Sequence, residues 1–514
     1  MARTMVIAPG PTANGDLHLG HLAGPFLSAD VCARYARAVG EDVLFGTGVH
    51  FTQNYIVTTA RRLGVDPEEL RVRSAGQVEE TLAAVGIEPD GFVRFDDRYV
   101  KTVRNFFERL HAMGRLRLRA VTFPYLPGTG EYLTDAYVRG GCPVCLADGC
   151  AGLCESCGHW IASGELTDPV STLHPEAAVE LREREVLVLP LEDHREALAA
   201  YFERQRATMR PRLAQLVEEL LSRPLPDYPV TLPISWGIPA PFPEVAGQVI
   251  YSDAETIAWS THCTALAAES RGEVLTDDDE LWAAEAGAEV VYFFGSDASF
   301  AFALVGVAML MALGDHVLPE RFVTNEFYEL DHDKFSSSRG HVVTGRQLAQ
   351  EVPRDLIRFY LAATAPDHQR TNFTRAAMAR VTESRLVRPW NRVAEKAERW
   401  AGRGPLPVSA RSAAAAARML ERFAAAYHPR RFSLSAAAFT LTEQLARLDQ
   451  WEVTAADAGD FCHQVETFLR GASPLLVDLA AQGLPDGLIP AAPHTTEVTE
   501  VTPGPLPRLA GSDR

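Results

Sequence analysis

A short apolar run, Met5-Val-Ile-Ala8, leads into Pro11-Thr-Ala-Asn-Gly-Asp-Leu-His-Leu-Gly-His21, and positions 22–38 then carry a helical pattern. The run has the composition of a buried parallel strand, so the two histidines fall at a strand-to-helix junction. The free N–H groups and positive end of a helix attract phosphate there. Gly20 lets a nucleotide approach the backbone, and His18 and His21 can donate to phosphate oxygens. An HxGH tetrapeptide alone is also an ordinary helix N-terminus, so the reading needs a second element.

That element is Asp333-Lys-Phe-Ser-Ser-Ser-Arg-Gly340. A lysine and three hydroxyls in a glycine-ended loop suit a phosphate clamp, whose bonds strengthen as charge develops on a leaving pyrophosphate. In this order, His18-Leu-Gly-His21 and Lys334-Phe-Ser-Ser-Ser338 resemble the paired HxGH and KMSKS-type elements of class I aminoacyl-tRNA synthetases. Within that class the chain is most similar to the methionyl-tRNA synthetase family, on Asn14-Gly15, Gly46-Thr47, His50, Trp236-Gly-Ile-Pro239, Gly295-Ser-Asp297 and Ala308-Met-Leu310.

The resemblance covers roughly residues 1 to 400 and implies an α/β fold: a Rossmann-type parallel-sheet catalytic core, a zinc-knuckle insertion and a C-terminal α-helical bundle. It implies that His18, His21 and Lys334 serve catalysis, and that Gly20, Gly295, Asp297 and Ser336 bind ATP with Mg²⁺. It places Gly10, Thr12, Gly48, His50, Tyr251, Phe302 and Gly306 at the substrate pocket. The implied reaction is in-line attack of an amino-acid carboxylate on the α-phosphorus, giving an aminoacyl adenylate.

Four of the eight cysteines form one pattern, Cys142-Pro-Val-Cys145 followed by Cys154-Glu-Ser-Cys157. Two CxxC knuckles fit structural, tetrahedral zinc, and nearby glycines permit the turns such knuckles need. Disulfides are the competing reading, disfavoured where no secretory signal is seen. The other family knuckle pair is replaced by Tyr125-Leu-Pro-Gly-Thr-Gly, so one zinc is expected. Cys150 reads as a bystander, and Cys32, Cys263 and Cys462 as buried small apolar residues.

A length of 514 residues implies several domains. The expected parts are 1–115, the first Rossmann half with HLGH; 116–230, the connective insertion with zinc knuckles; 231–345, the second half with the KFSSS loop; 346–483, a helical bundle; and 484–514, a disordered tail rich in Pro, Thr and Gly. Asp277-Asp-Asp-Glu280 reads as an acidic helix start rather than a metal site. No apolar run reaches a membrane span and no signal segment opens the chain, so a cytoplasmic location without a membrane is expected. The formal charge of −18 disfavours indiscriminate nucleic-acid binding. A stripe of Arg385, Arg388, Arg392, Lys396, Arg399 and Arg403 on one helical face, with Trp390 and Trp400 as stacking candidates, fits either tRNA contact or a solvated face.

Departures from the family are concentrated around the amino-acid pocket. The acidic residue that holds the substrate ammonium in a GTDEH-like segment is absent from Gly46-Thr-Gly-Val-His50. Thr12 stands for the family tyrosine, Phe302 and Gly306 for its histidine and tryptophan, and Ser337 for the second lysine of the loop. These changes remodel a pocket built for methionine. The expectation is therefore a ligase that activates a different amino-acid substrate and passes it to a small-molecule acyl acceptor. An N-hydroxylated amine of hydrazine natural-product biosynthesis, with a separate cupin partner protein, would fit. The alternatives are an ordinary methionine–tRNA ligase charging tRNA, and an inactive RNA- or amino-acid-binding module.

Overall fold

The computed structural model describes residues 2–335, 341–484 and 498–511. Five strands form its central sheet: β1 (Thr4–Ile7), β2 (Val43–Gly48), β3 (Gly91–Val93), β4 (Glu289–Gly295) and β5 (Arg321–Asn325). Their order is β5-β4-β1-β2-β3 and every pairing is parallel. This is the doubly wound arrangement, in which strand order reverses between β1 and β4. β1 is buried along its whole length, as a strand covered on both faces must be.

The chain turns helical at Leu19 and runs to Ala38, broken by a kink at Gly24 (φ −99°, ψ −105°) within a widened turn at Leu22–Phe26. Pro25 explains the turn, since it lacks an N–H and its ring crowds the preceding carbonyls. The helix Thr256–Glu269 lies on β2 and β3 and is buried on nearly every side, which accounts for its apolar composition. Ser296–Leu313 is the one described stretch long and apolar enough to cross a membrane, and 83% of it is buried as a core element.

Between β3 and β4 lies an antiparallel sheet of Glu131–Tyr132, Arg117–Leu126, Glu180–Pro190 and Asp227–Pro229, with the cysteine knuckles at its margin beside the hairpin Val138–Gly141 and Thr167–Ser171. Beyond β5, the helices Arg354–Ala363, Arg388–Glu398, Ala410–Tyr427, Leu434–Asp449 and Ala458–Ala472 pack together. Arg358 ties this bundle to the sheet domain. Its buried guanidinium donates to Asp30 Oδ2 at 2.7 Å and to the carbonyls of Gly86 (3.0 Å), Leu475 (2.9 Å) and Pro474 (2.8 Å).

Two expectations about the C-terminal half are corrected. Residues 498–511 are ordered: Glu500–Val501 pairs antiparallel with Leu406–Pro407, and the Trp390 indole N–H donates to the Pro507 carbonyl at 2.9 Å. Backbone pairing and burial of Val501 supply what the composition lacks. The remaining tail positions, 485–497 and 512–514, lie outside the described residues. Trp390 is wholly buried and stacked on Phe468, so it offers no face to a base. Arg388 pairs with Glu383 and Arg392 with Asp449, each at 2.8 Å, while Lys396 donates to the Trp451 carbonyl. Arg388 and Arg392 stay more than half exposed within these surface pairs.

Asp277-Asp-Asp-Glu280 opens a single helical turn, Glu280–Trp282. Asp278 is paired with Arg98 and His262 and Asp279 with Arg109 and His316, while Glu280 accepts from the Thr276 N–H and hydroxyl.

Candidate functional site

The HLGH turn leaves the carboxyl end of β1, and Gly295-Ser-Asp297 leaves that of β4. Both therefore open at the point where strand order reverses, the crevice in which doubly wound sheets bind ligands. A cavity of about 470 Å³ fills that crevice. It is lined by Gly10, Thr12, His18, Gly20, His21, His50, Gly295, Asp297, Phe302 and Lys334, joining residues from both ends of the sheet domain.

His18 caps its own helix: Nδ1 accepts from the Gly20 N–H at 3.1 Å. An accepting Nδ1 carries no proton, so the ring holds its hydrogen on Nε2. A Cβ on Gly20 would fall 2.9 Å from the His18 ring, so only glycine leaves this turn open. The rings of His18 and His21 stack at 3.8 Å. Burial, and then the neighbouring His21 and the Lys334 cation, hold His18 well below the usual histidine range; burial brings His21 down to about 4. Both are neutral hydrogen-bond donors near pH 7, not cations.

The second motif reaches the first directly. Phe335 stacks on His18 with ring centres 4.5 Å apart and planes within 5°. Lys334, adjacent in sequence, pairs with Glu155 of the cysteine knuckle and supplies the cation that the histidines do not. Ser336 and Ser337 lie outside the described residues. Asp297 has its carboxyl raised by burial and then by the charge of Glu155. His50 stacks on Trp259, is lowered to about 4 by burial, and leaves Nδ1 without a partner. Phe302 joins an aromatic wall with Phe294 and Tyr292.

Three expected pocket residues do not line the cavity. Gly48 lies within β2 against the Val93 backbone, and Gly306 starts a helix packed on Ile257. Tyr251 is buried one layer back, its hydroxyl 2.9 Å from Asp135 Oδ1 and 3.3 Å from Asp253 Oδ2. In their place the cavity wall includes Gln53, Asp135, Asp253, Asn325 and Glu155, which the sequence reading missed. Asp253 had a signal, since it follows the strand candidate 248–251. Asp135 and Glu155 come from the irregular insertion, where periodicity gives none.

The knuckle cysteines converge. Ligand atoms of Cys142, Cys145, Cys154 and Cys157 lie within 4.8 Å of one another. The Cys142–Cys157 and Cys145–Cys154 sulfur separations are 3.9 and 3.6 Å. Four thiolates about 2.3 Å from a tetrahedral zinc stand about 3.8 Å apart, so the donor set has the size and chemistry of a structural zinc site. Cys150 is buried beside it and outside the cluster. Ala151, Leu153 and Glu155 of the same loop line the cavity, so the metal site shapes the crevice.

Comparisons with known proteins agree with this layout. Residues 4–397 match the family described as tRNA synthetases class I (M). The methionine–tRNA ligase of Bacteroides fragilis is 30% identical over 376 residues, 72% of this chain and 54% of that protein. That of Chlorobaculum tepidum is 31% identical over 385 residues, with the same coverage. The chain thus spans about half the length of these curated relatives. A structure of Mycobacterium tuberculosis methionyl-tRNA synthetase in complex with methionyl-adenylate superposes with a TM-score of 0.73 at 19% identity, covering 100% of this chain and 99% of that one, a likeness of fold. With its two motifs joined at the switch point of a doubly wound sheet, and a family match across most of its length, the chain belongs to the class I (M) tRNA synthetases.

Proposed function

We propose that the protein is an ATP-dependent ligase that activates an amino acid as its aminoacyl adenylate. The stacking of Phe335 on His18 carries this reading, because it sets Lys334 beside the HLGH turn at the mouth of one cavity. The helix N-terminus and the neutral His18 and His21 donate to phosphate oxygens, while Lys334 draws off charge on the departing pyrophosphate. Asp297, at the end of β4, accepts from the ribose hydroxyls. Mg²⁺ carried by the nucleotide would, when bound, neutralise part of the phosphate charge. No side-chain nucleophile is required, since the substrate carboxylate attacks.

For the acyl acceptor, the changed pocket supports a specialised paralogue that passes the acyl group to a small molecule such as an N-hydroxylated amine, with any cupin a separate protein. The buried Trp390, which offers no face to a base, supports it too. The second reading, charging of tRNA with methionine, is supported by the relatives.

ATP–pyrophosphate exchange across an amino-acid panel, followed by tRNA aminoacylation, tests both. Exchange with a non-methionine acid and no acylated tRNA is the expected result. Methionine-only exchange with methionylated tRNA would establish the second reading, and no exchange with any acid would remove the activating function.

A further inference from the structure

The family's ammonium-holding carboxylate has no room here. A Cβ on Gly48 would fall 2.6 Å from the Val93 nitrogen and 2.7 Å from its Cβ, a clash with backbone that a rotamer change cannot relieve. The cavity nevertheless holds two carboxylates of its own. Asp253 accepts from Gln53 Nε2 at 2.8 Å, and Asp135 accepts from the Tyr251 hydroxyl at 2.9 Å. That hydroxyl also lies 3.3 Å from Asp253 Oδ2, yet it has one proton and serves one acceptor at a time. Among the described residues neither aspartate has a cationic partner.

We propose that Asp253 and Asp135 form the ammonium-binding end of the amino-acid pocket, replacing the acidic residue that the family carries at the position of Gly48. The assignment rests on the reading that this cavity activates an amino acid. One further observation points to a ligand, and a second shows how Asp135 is held. His50, only 5% exposed and lining the same cavity, leaves Nδ1 without a partner. Asp135 has φ at +45°, a left-handed conformation that costs a non-glycine residue free energy. Asn54 holds it there, donating to the Thr134 carbonyl at 2.9 Å and accepting from the Ala136 N–H at 3.0 Å. A buried carboxylate short of donors favours a cation, and a substrate ammonium supplies three N–H donors with the charge. Burial, and then the charge of Asp253, raise Asp135 to about 8. The substrate class is an α-amino acid with a free, protonated amine, with Phe294, Ala301 and Phe302 offering apolar surface to its side chain.

The test compares the acid giving the strongest pyrophosphate exchange with its 2-hydroxy analogue, in the wild type, D253N and D135N. The wild type is expected to prefer the amino acid by about 100-fold in kcat/KM. In D253N the amino-acid KM should rise about 30-fold with the ATP KM within about twofold, and the preference over the hydroxy acid should collapse below about tenfold. D135N should move the same quantities less. Thermal unfolding and bound zinc confirm folding; if an aspartate variant fails to fold, Y251F, which removes the shared hydroxyl, is expected to shift the same KM selectively. Unchanged amino-acid KM and preference in folded variants that still exchange would overturn the assignment alone. Absence of exchange by the wild type with every acid overturns the activating function, and the assignment with it.

Discussion

Single side chains at this crevice are tuned by burial more than by neighbouring charge, and the tuning has a sign. The Glu255 carboxyl is raised to about 8 by burial, with Oε2 accepting from the Tyr99 hydroxyl at 2.6 Å. The folded chain keeps this proton from its unfolded value near 4 up to about 8, so the stability it contributes is full at low pH and is lost as pH rises through that window. E255Q should therefore match the wild type near pH 5 and exceed it near pH 8 by roughly 3 kcal/mol, a difference that melting curves at the two pH values will read. A constant offset would mean that the buried group is ionised throughout. His21 and His50, both near 4, act in the opposite sense: their contribution is present above about pH 6.5 and is lost as pH falls towards 4. H18A removes the helix cap and the ring under Phe335, and should lower exchange by about 10² to 10³ while costing only about 1 kcal/mol of stability.

Elements differ in how openly the sequence announces them. β1 and the HLGH turn are legible because a buried strand and a helix start are local patterns in adjacent residues. The cysteine knuckles are legible because zinc demands four ligands at tight spacing. Asp135 and Asp253 were not, since their pairing is made by Tyr251 across a tertiary contact, and the substitution at Gly48 read as a loss when viewed alone. The segment 498–511 was hidden for another reason: Pro, Thr and Gly build no core, but an edge strand needs only a partner backbone, which Leu406–Pro407 provides. A chain ending at Leu484 should melt a few degrees lower, with exchange retained within about twofold. Chelation should release one zinc per chain by elemental analysis and, because Leu153 and Glu155 leave the cavity wall with the knuckle, should lower exchange as well as stability. Loss of stability with full exchange would show that the knuckle does not shape the crevice.

Across the whole molecule, the joint between the sheet domain and the bundle is built on buried charge. Arg358 and Asp30 are 1% and 0% exposed at 2.7 Å, with Arg34 on the same carboxylate. R358M leaves that carboxylate to Arg34 alone and orphans the carbonyls of Gly86, Leu475 and Pro474, and should cost about 3 kcal/mol, whereas adding D30N should recover part of the loss. Denaturant titration of the single and double variants checks both.

The sheet order has a consequence in time. β1 is a central strand, yet its partner β4 begins at Glu289, roughly 280 residues after β1 ends. At about 5 to 20 residues per second, a ribosome leaves that inner edge unpaired for roughly 15 seconds to a minute. The nascent first half carries an open apolar strand edge for that interval, so chaperone occupancy during synthesis should be highest before residue 289 emerges.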